Sequence, residues 1–437
     1  LSPRSVWQYF DEITRVPRPS KKEGKIRTFL IDFAKKHRFD YRQDAAGNIV
    51  ILKPATPGCE KSPVVILQSH MDMVCEKNSD VTFDFDNDPI RTRIDGEWVR
   101  AEGTTLGADC GIGMAAAMAM LTADKVEHGP IEALFTVDEE TGLTGAFGLG
   151  EGMLTGKYLI NLDSEDEGEI FIGCAGGIDT LATFLYTPEP TPAGLVWFRI
   201  ALSGLKGGHS GDDIDKGRGN SNKLLNRFLR YGTREFGLRL AQFDGGNLRN
   251  AIPREAFAIF GVSTGYVKPM LEWFETYKAE ITAEFQMTEP SLEVTLAEEP
   301  APAEVVDEAA QRRLLDAVCG VPNGVLAMSA AMPGLVETST NLASVKFPEP
   351  GRIVVTTSQR SSVGSARNEA AASVRAVFDL AGARVIHSDG YPGWNPNPGS
   401  HLLKVTEQTY ERLFGHAPKV RAIHAGLECG LFLEKYP

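Results

Sequence analysis

Between Ser5 and His37 apolar residues fall at helical spacing, at Phe10, Ile13, Ile26, Phe29, Leu30 and Phe33, with the turn VPRPS between them. This predicts two opening helices. Gly47-Asn48 then leads into the β stretch NIVILK, and after PATPGCE the continuous run VVIL has the character of a strand buried on both faces. GIGMAAAMAML reads as a helix, and IEALFTV and YLINLD as further strands. Strands alternating with helices predict an α/β domain covered on both sheet faces.

Past GCAGG at 173–177 the pattern changes to paired amphipathic strands, TLATFLY and LVWFRIALSG, joined hairpin-fashion by TPEPTPAG. NKLLNRFLRY predicts a helix, EAFAIFGV a strand, MLEWFETYKAEI a helix, and NLASVKF-PEPG-RIVVTTSQR a second hairpin. AEEPAPAE near 297–304 divides this stretch, which predicts an inserted α+β domain of two similar halves. From GYPGW onward a helix at HLLKVTEQTYERLF and a buried strand at VRAIHAG return to the first domain. At 437 residues the chain exceeds the roughly 250–300 residues that one core usually serves. The expected division is 1–176 and 388–437 for the first domain, with 177–387 inserted as the second.

Hydrophobic residues make up 42% and charged residues 24%, ordinary values for a globular chain with a sizeable core. A net charge of -13 without any run of Lys and Arg argues against nucleic acid and anionic membrane as partners. Six cysteines without CxxC pairing read as free thiols of a reducing, cytoplasmic compartment. The stretch Met114 to Leu121 is far shorter than the roughly 20 apolar residues of a membrane span, and no signal peptide is visible. The first residue is Leu1 and the last two follow an apolar run, so both ends read as cut.

Candidate chemistry stands where apolar runs end: His70 and Asp72 after SPVVILQ, Asp109 after GTTLGA, Glu139 and Glu140 after IEALFTV, Asp163 after KYLINL. In open α/β sheets reacting groups gather beyond the carboxyl ends of strands, and imidazole with carboxylate is a zinc-type ligand set. His70 and Asp72 can point to one side, where Asp72 would hold the second imidazole nitrogen. Asp109 is placed either to bridge two metals or to cap the Ala-rich helix. Glu139 and Glu140 are either a solvated acidic loop or a pair needing a cation, one ligating and the other taking a proton from the attacking water. Together these positions point to a two-metal hydrolase.

The motifs QSHMDMV, GTTLGADCGIG, VDEETG and NLDSE occur in an order that resembles the dinuclear zinc hydrolase family of aminoacylase and succinyl-diaminopimelate desuccinylase. GEWVRAEGTTLGAD, GCAGGID, LKGGHSG, LRNAIPREAFA, GYPGW and HAGLECGLF extend the likeness, nearest to its Xaa-His dipeptidase branch. The resemblance implies a zinc-peptidase-like α/β domain with a mixed sheet between helices, plus an inserted lid domain. It implies two divalent ions, Zn2+ with Co2+ or Mn2+ as substitutes, His70 and Asp163 on one, Glu140 on the other and Asp109 bridging. Glu139 would be the general base and Asp72 would orient His70. His209 in GGHSG, Asn250 in RNAIP and Arg360 in SQRS would face the substrate, a small unblocked dipeptide, preferentially Xaa-His including β-alanyl-histidine. Read without the resemblance, His209 is a glycine-loop histidine and Arg360 a strand-end surface residue.

The family's further C-terminal histidine ligand has no counterpart before Pro437, and His424 is not assigned to that role. Cys110 stands where relatives commonly carry Asn; as a small residue it is expected to be neutral there, with oxidation of a thiol so close to the site as the alternative. A homodimer is the implied assembly. An N-acyl amino acid deacylase shares the same metal site, and a catalytically silent homologue would keep the fold alone. A metallo-phosphoesterase would want basic residues that SHMDM and DEETG lack.

Overall fold

A computed structural model describes residues 1–436. They form two compact units. The first comprises Leu1–Ile170, Gly399–Val420 and the described residues from Leu431 on; the second comprises Phe171–Pro398 and Arg421–Gly430. The segments 388–398 and 421–430, expected in the first domain, thus pack with the second. No helix among the described residues is long and apolar enough to cross a membrane.

In the first unit the opening helices are Arg4–Thr14 and Gly24–His37, the second ended by Arg38 in the left-handed region (φ 60). The sheet has five strands in the spatial order Asp40–Gln43, Ile49–Lys53, Ile131–Thr136, Val65–His70, Tyr158–Asn161. It is mixed. Val65–His70 runs parallel to both of its neighbours, while the two outer strands on the other side pair antiparallel. Three carboxyl ends therefore open on one edge. Ile131–Thr136 is buried at every position, as a strand flanked on both sides requires.

The helix Ala108–Thr122 joins the two opening helices on one sheet face, over a core that includes Phe10, Leu30, Ile51, Met114, Ala133 and Phe135. It is apolar nearly all round, and such a helix is stable only inside. The helix His401–Phe414 lines an apolar groove of about 470 Å³ with Val65, Tyr158 and Ile160.

The second unit holds a nine-stranded sheet packed against Ser221–Glu235, Val267–Phe285, Glu308–Gly320 and Gly364–Leu380 through one apolar cluster. Val336–Glu349 and Arg352–Ser361 form the expected hairpin. The other expected hairpin is absent. Gly176–Leu185 pairs with Arg352–Ser361 and Arg384–His387, whereas Leu195–Ser203 pairs with Ala256–Ser263 and Glu293–Glu298. The linker TPEPTPAG instead carries a short strand, Pro188–Pro190, paired with Glu304–Val306. The expected buried strand at VRAIHAG is Lys419–Ile423, which is half-buried to exposed.

Candidate metal centre

Polar side chains lock the three parallel strands just below their carboxyl ends. Gln68 donates to Thr136 Oγ1 at 3.2 Å and accepts from Asn161 Nδ2 at 2.6 Å, a buried row that fixes their register. Asn161 Oδ1 then accepts the amide of Asp163 at 3.1 Å, which aims the residue just beyond the third strand. After Ile131–Thr136 Asp138 adopts the left-handed region (φ 50), and its carboxylate accepts from Thr141 and Thr144, a local arrangement that suits Asp. This turns the amides of Glu139 and Glu140 toward Asp72, at 3.1 Å and 3.3 Å.

Asp109 does not follow a strand. It lies in the first turn of Ala108–Thr122, where the backbone at Asp109 (φ -81, ψ 118) departs from helical values and the Asp109-Cys110 peptide is cis. His70, with no exposed surface, stands at the centre. Its Nε2 is 2.9 Å from Asp109 Oδ1 and 3.4 Å from Asp163 Oδ1; its Nδ1 is 3.2 Å from Asp72 Oδ1. Asp72 Oδ2 also accepts from Ser20 Oγ at 2.7 Å, so both of its oxygens are engaged.

Burial alone would lower the His70 pKa, but hydrogen bonds to Asp109, Asp163 and Asp72 overcome it and raise the imidazole above its ordinary value. Asp163 and Glu140 are pushed up, first by burial and then by neighbouring carboxylate charge. Such a site is short of positive charge. Ligand atoms of His70, Asp109 and Glu140 lie within 4.8 Å of one another, and so do those of His70, Cys110 and Asp163. One imidazole, with its other nitrogen held by a carboxylate, and three converging carboxylates fit a divalent ion of the zinc type. Burial pushes the Cys110 thiol well above the usual thiol range and it donates to Leu162 O, so it lacks the character of a redox-reactive cysteine. All six cysteines are free.

In the second unit His209 sits on the two-residue strand Gly208–His209 and its Nδ1 faces the amides of Gly211 and Asp212, each at 3.3 Å. Asn250 is exposed, and its carbonyl accepts from Ser210. Arg360 is 6% exposed, which overturns the surface reading, and Nη1 donates to Tyr391 Oη at 3.1 Å. Gly177, opposite Arg360 on the adjoining strand, leaves room for the Tyr391 ring; a Cβ there would lie 2.6 Å from it. Ser339, opposite Arg360 on the other side, has its Oγ 2.7 Å from His424 Nε2. Burial, with Arg360 nearby, lowers the His424 pKa to about 4, so its imidazole is neutral.

The structure thus gathers His70, Asp72, Asp109, Glu140 and Asp163 around one point in the first unit, with Glu139 tied to Asp72 through its amide. Arg18, Ser20 and Tyr391 were not singled out from the sequence, and His424 was left there without a role.

The model of peptidase family M20/M25/M40 matches residues 66–437. The cytosol non-specific dipeptidase of Escherichia coli (strain K12) is 44% identical over 440 residues, spanning 100% of this chain and 90% of that protein. The crystal structure of aminoacylhistidine dipeptidase from Vibrio alginolyticus superposes with a TM-score of 0.93 at 46% identity, covering 100% and 89%. An aminopeptidase from Bacillus cereus gives 0.54 at 16% identity, covering 99% and 87%, a likeness of fold alone.

Proposed function

The chain belongs to peptidase family M20/M25/M40, and from that premise we propose a two-metal dipeptidase that cleaves unblocked dipeptides, Xaa-His types including β-alanyl-histidine preferred. The observation that carries this reading is the convergence on His70 Nε2 of Asp109 and Asp163 while Asp72 holds Nδ1. His70 and Asp163 would hold one ion, Glu140 the other, and Asp109 both. Bound there, divalent zinc supplies Lewis acidity toward the scissile carbonyl and the attacking water.

The chain's own groups do the rest. Asp72 keeps the proton of a neutral His70 on Nδ1 and leaves Nε2 free to ligate. Glu139 takes the proton of the attacking water and passes it to the leaving amine. Arg360, with a planar fork of donors, takes the free carboxylate of the dipeptide, and His209 and Asn250 meet the carbonyl oxygen as charge develops. The reading also carries a homodimer in the cytoplasm.

The test is metal content and turnover together. The protein is stripped of metal, re-equilibrated with zinc, and offered Xaa-His dipeptides, other dipeptides and N-acyl amino acids. Zinc-dependent cleavage of Xaa-His dipeptides supports the proposal; preference for N-acyl amino acids would make it a deacylase, and absence of bound metal would end the two-metal reading.

A further inference from the structure

Arg18 has no part in the chemistry above, yet it is only 2% exposed and is among the largest fully buried side chains of the molecule. A buried guanidinium ordinarily meets a carboxylate, because its desolvation is costly. Here its hydrogen bonds go to main-chain carbonyls. Nη1 donates to Met71 O at 3.2 Å and Asp72 O at 2.6 Å, and Nη2 donates to Gly107 O. One side chain thereby joins the segment leaving the His70 strand to the turn that presents Asp109.

The glycines of that turn are shaped to it. A Cβ on Gly107 would lie 2.5 Å from Nη2, and one on Gly111 would lie 2.7 Å from the same atom. The spacing of glycines around Asp109 in GADCG is therefore a slot for a guanidinium. The segment that supplies Arg18 also runs beside the other side of the site. Pro19 bridges to Met73, and Ser20 Oγ donates to the Asp72 carboxylate. Burial lowers the Arg18 pKa to about 10, which leaves it charged at neutral pH.

We propose that Arg18 is a positioning residue: its fork sets the separation of the segment carrying His70 and Asp72 from the turn carrying Asp109, and so sets divalent-metal affinity. This rests on the two-metal reading. Charge and geometry act in opposite directions here. Removing a cation close to metal ligands, taken alone, favours binding of a second cation. Losing the fork misplaces Asp109 relative to His70 and disfavours it. The direction of the change in affinity therefore separates the two.

The experiment compares the parental protein with R18K, which keeps a charge but has no planar fork, and R18M, which loses both. R42K serves as control; Arg42 donates to Met153 O and Glu132 elsewhere in the same unit. Each metal-stripped protein is titrated with zinc against a chromogenic chelator, and its cobalt-loaded form is read by visible absorption, with kcat and KM alongside. Expected are zinc binding weakened about 10- to 100-fold in R18K and R18M, a changed cobalt spectrum, and a fall in kcat with little change in KM. R42K should match the parent. Parental affinity and spectrum in R18K, or tighter zinc binding in R18M, would overturn the proposal; if R18M does not fold, R18K decides alone. Failure of the parental protein to bind zinc would instead strike the reading beneath it.

Discussion

His70 and His424 are almost equally hidden, at 0% and 5% exposed, yet burial has opposite outcomes for them. Both lose hydration, which by itself disfavours the charged imidazole. Around His70 three carboxylates reverse that penalty and raise the pKa. Around His424 the partner is a serine hydroxyl, and the Arg360 charge adds to the penalty while Asp212 offsets only part of it, so the pKa falls to about 4. Neighbours, not depth, decide what a buried histidine is. The first unit holds a place for a cation; the second presents a cation and neutral donors, which suit an anionic or carbonyl group.

The widest separation between the two clusters should come from Glu139→Gln. Loss of the base is expected to lower kcat by about 10²- to 10⁴-fold while zinc content stays at the parental value. Retained turnover in that variant would remove Glu139 from the role. In the second unit Arg360→Met should act on substrate instead, raising KM about 100-fold as a charge-assisted fork to the dipeptide carboxylate is lost. Dipeptide amides, which lack that carboxylate, should not distinguish the variant from its parent. Asp72→Asn comes next. It keeps shape but changes what His70 Nδ1 meets, and zinc affinity should fall about 10- to 100-fold in a chelator competition.

The smallest effect tests His424 itself. Its folded pKa lies below the ordinary value of 6.5, so between those two values the unfolded chain binds the proton and the folded one does not. Its neutral form is therefore fully compatible with folding above pH 6.5, and acidification costs stability as pH falls from there toward 4. By pH 5 this amounts to about 2 kcal/mol. His424→Gln should flatten that part of the profile in thermal melts of the metal-free protein, where His70, shifted the other way, does not contribute such a loss.

Much of the first cluster was legible because strand ends are local. A buried run such as IEALFT or VILQSH is visible in sequence, and the residues just after it must lie at the sheet edge. Asp109 was legible as a residue at the start of the Ala-rich helix, where the structure places it, because glycines and an Asp ahead of an apolar helical run mark a helix start. The second unit was less readable. TLATFLY was recognisable as a strand, but amphipathicity does not name a partner, and the partner is Arg352–Ser361, not the nearest strand. His424 was left without a role for the same reason: Ser339 and Arg360, which define its surroundings, come from two strands far away in sequence. Arg18 carries no signal in the sequence, because its acceptors are carbonyls, which every residue carries.

The pairing of Gly176–Leu185 with Arg352–Ser361 also bears on how the chain reaches this structure. Its two sides are separated by roughly 170 residues, an interval a ribosome crosses in about 10 to 30 s at typical elongation rates. Throughout that time the earlier segment, with Ala182 and Phe184 destined for the core, has neither of its neighbours in the sheet. Non-local pairing of this kind is slow to form and leaves an unprotected edge while it waits. Synthesis, more than the finished protein, is where this molecule is most exposed to aggregation.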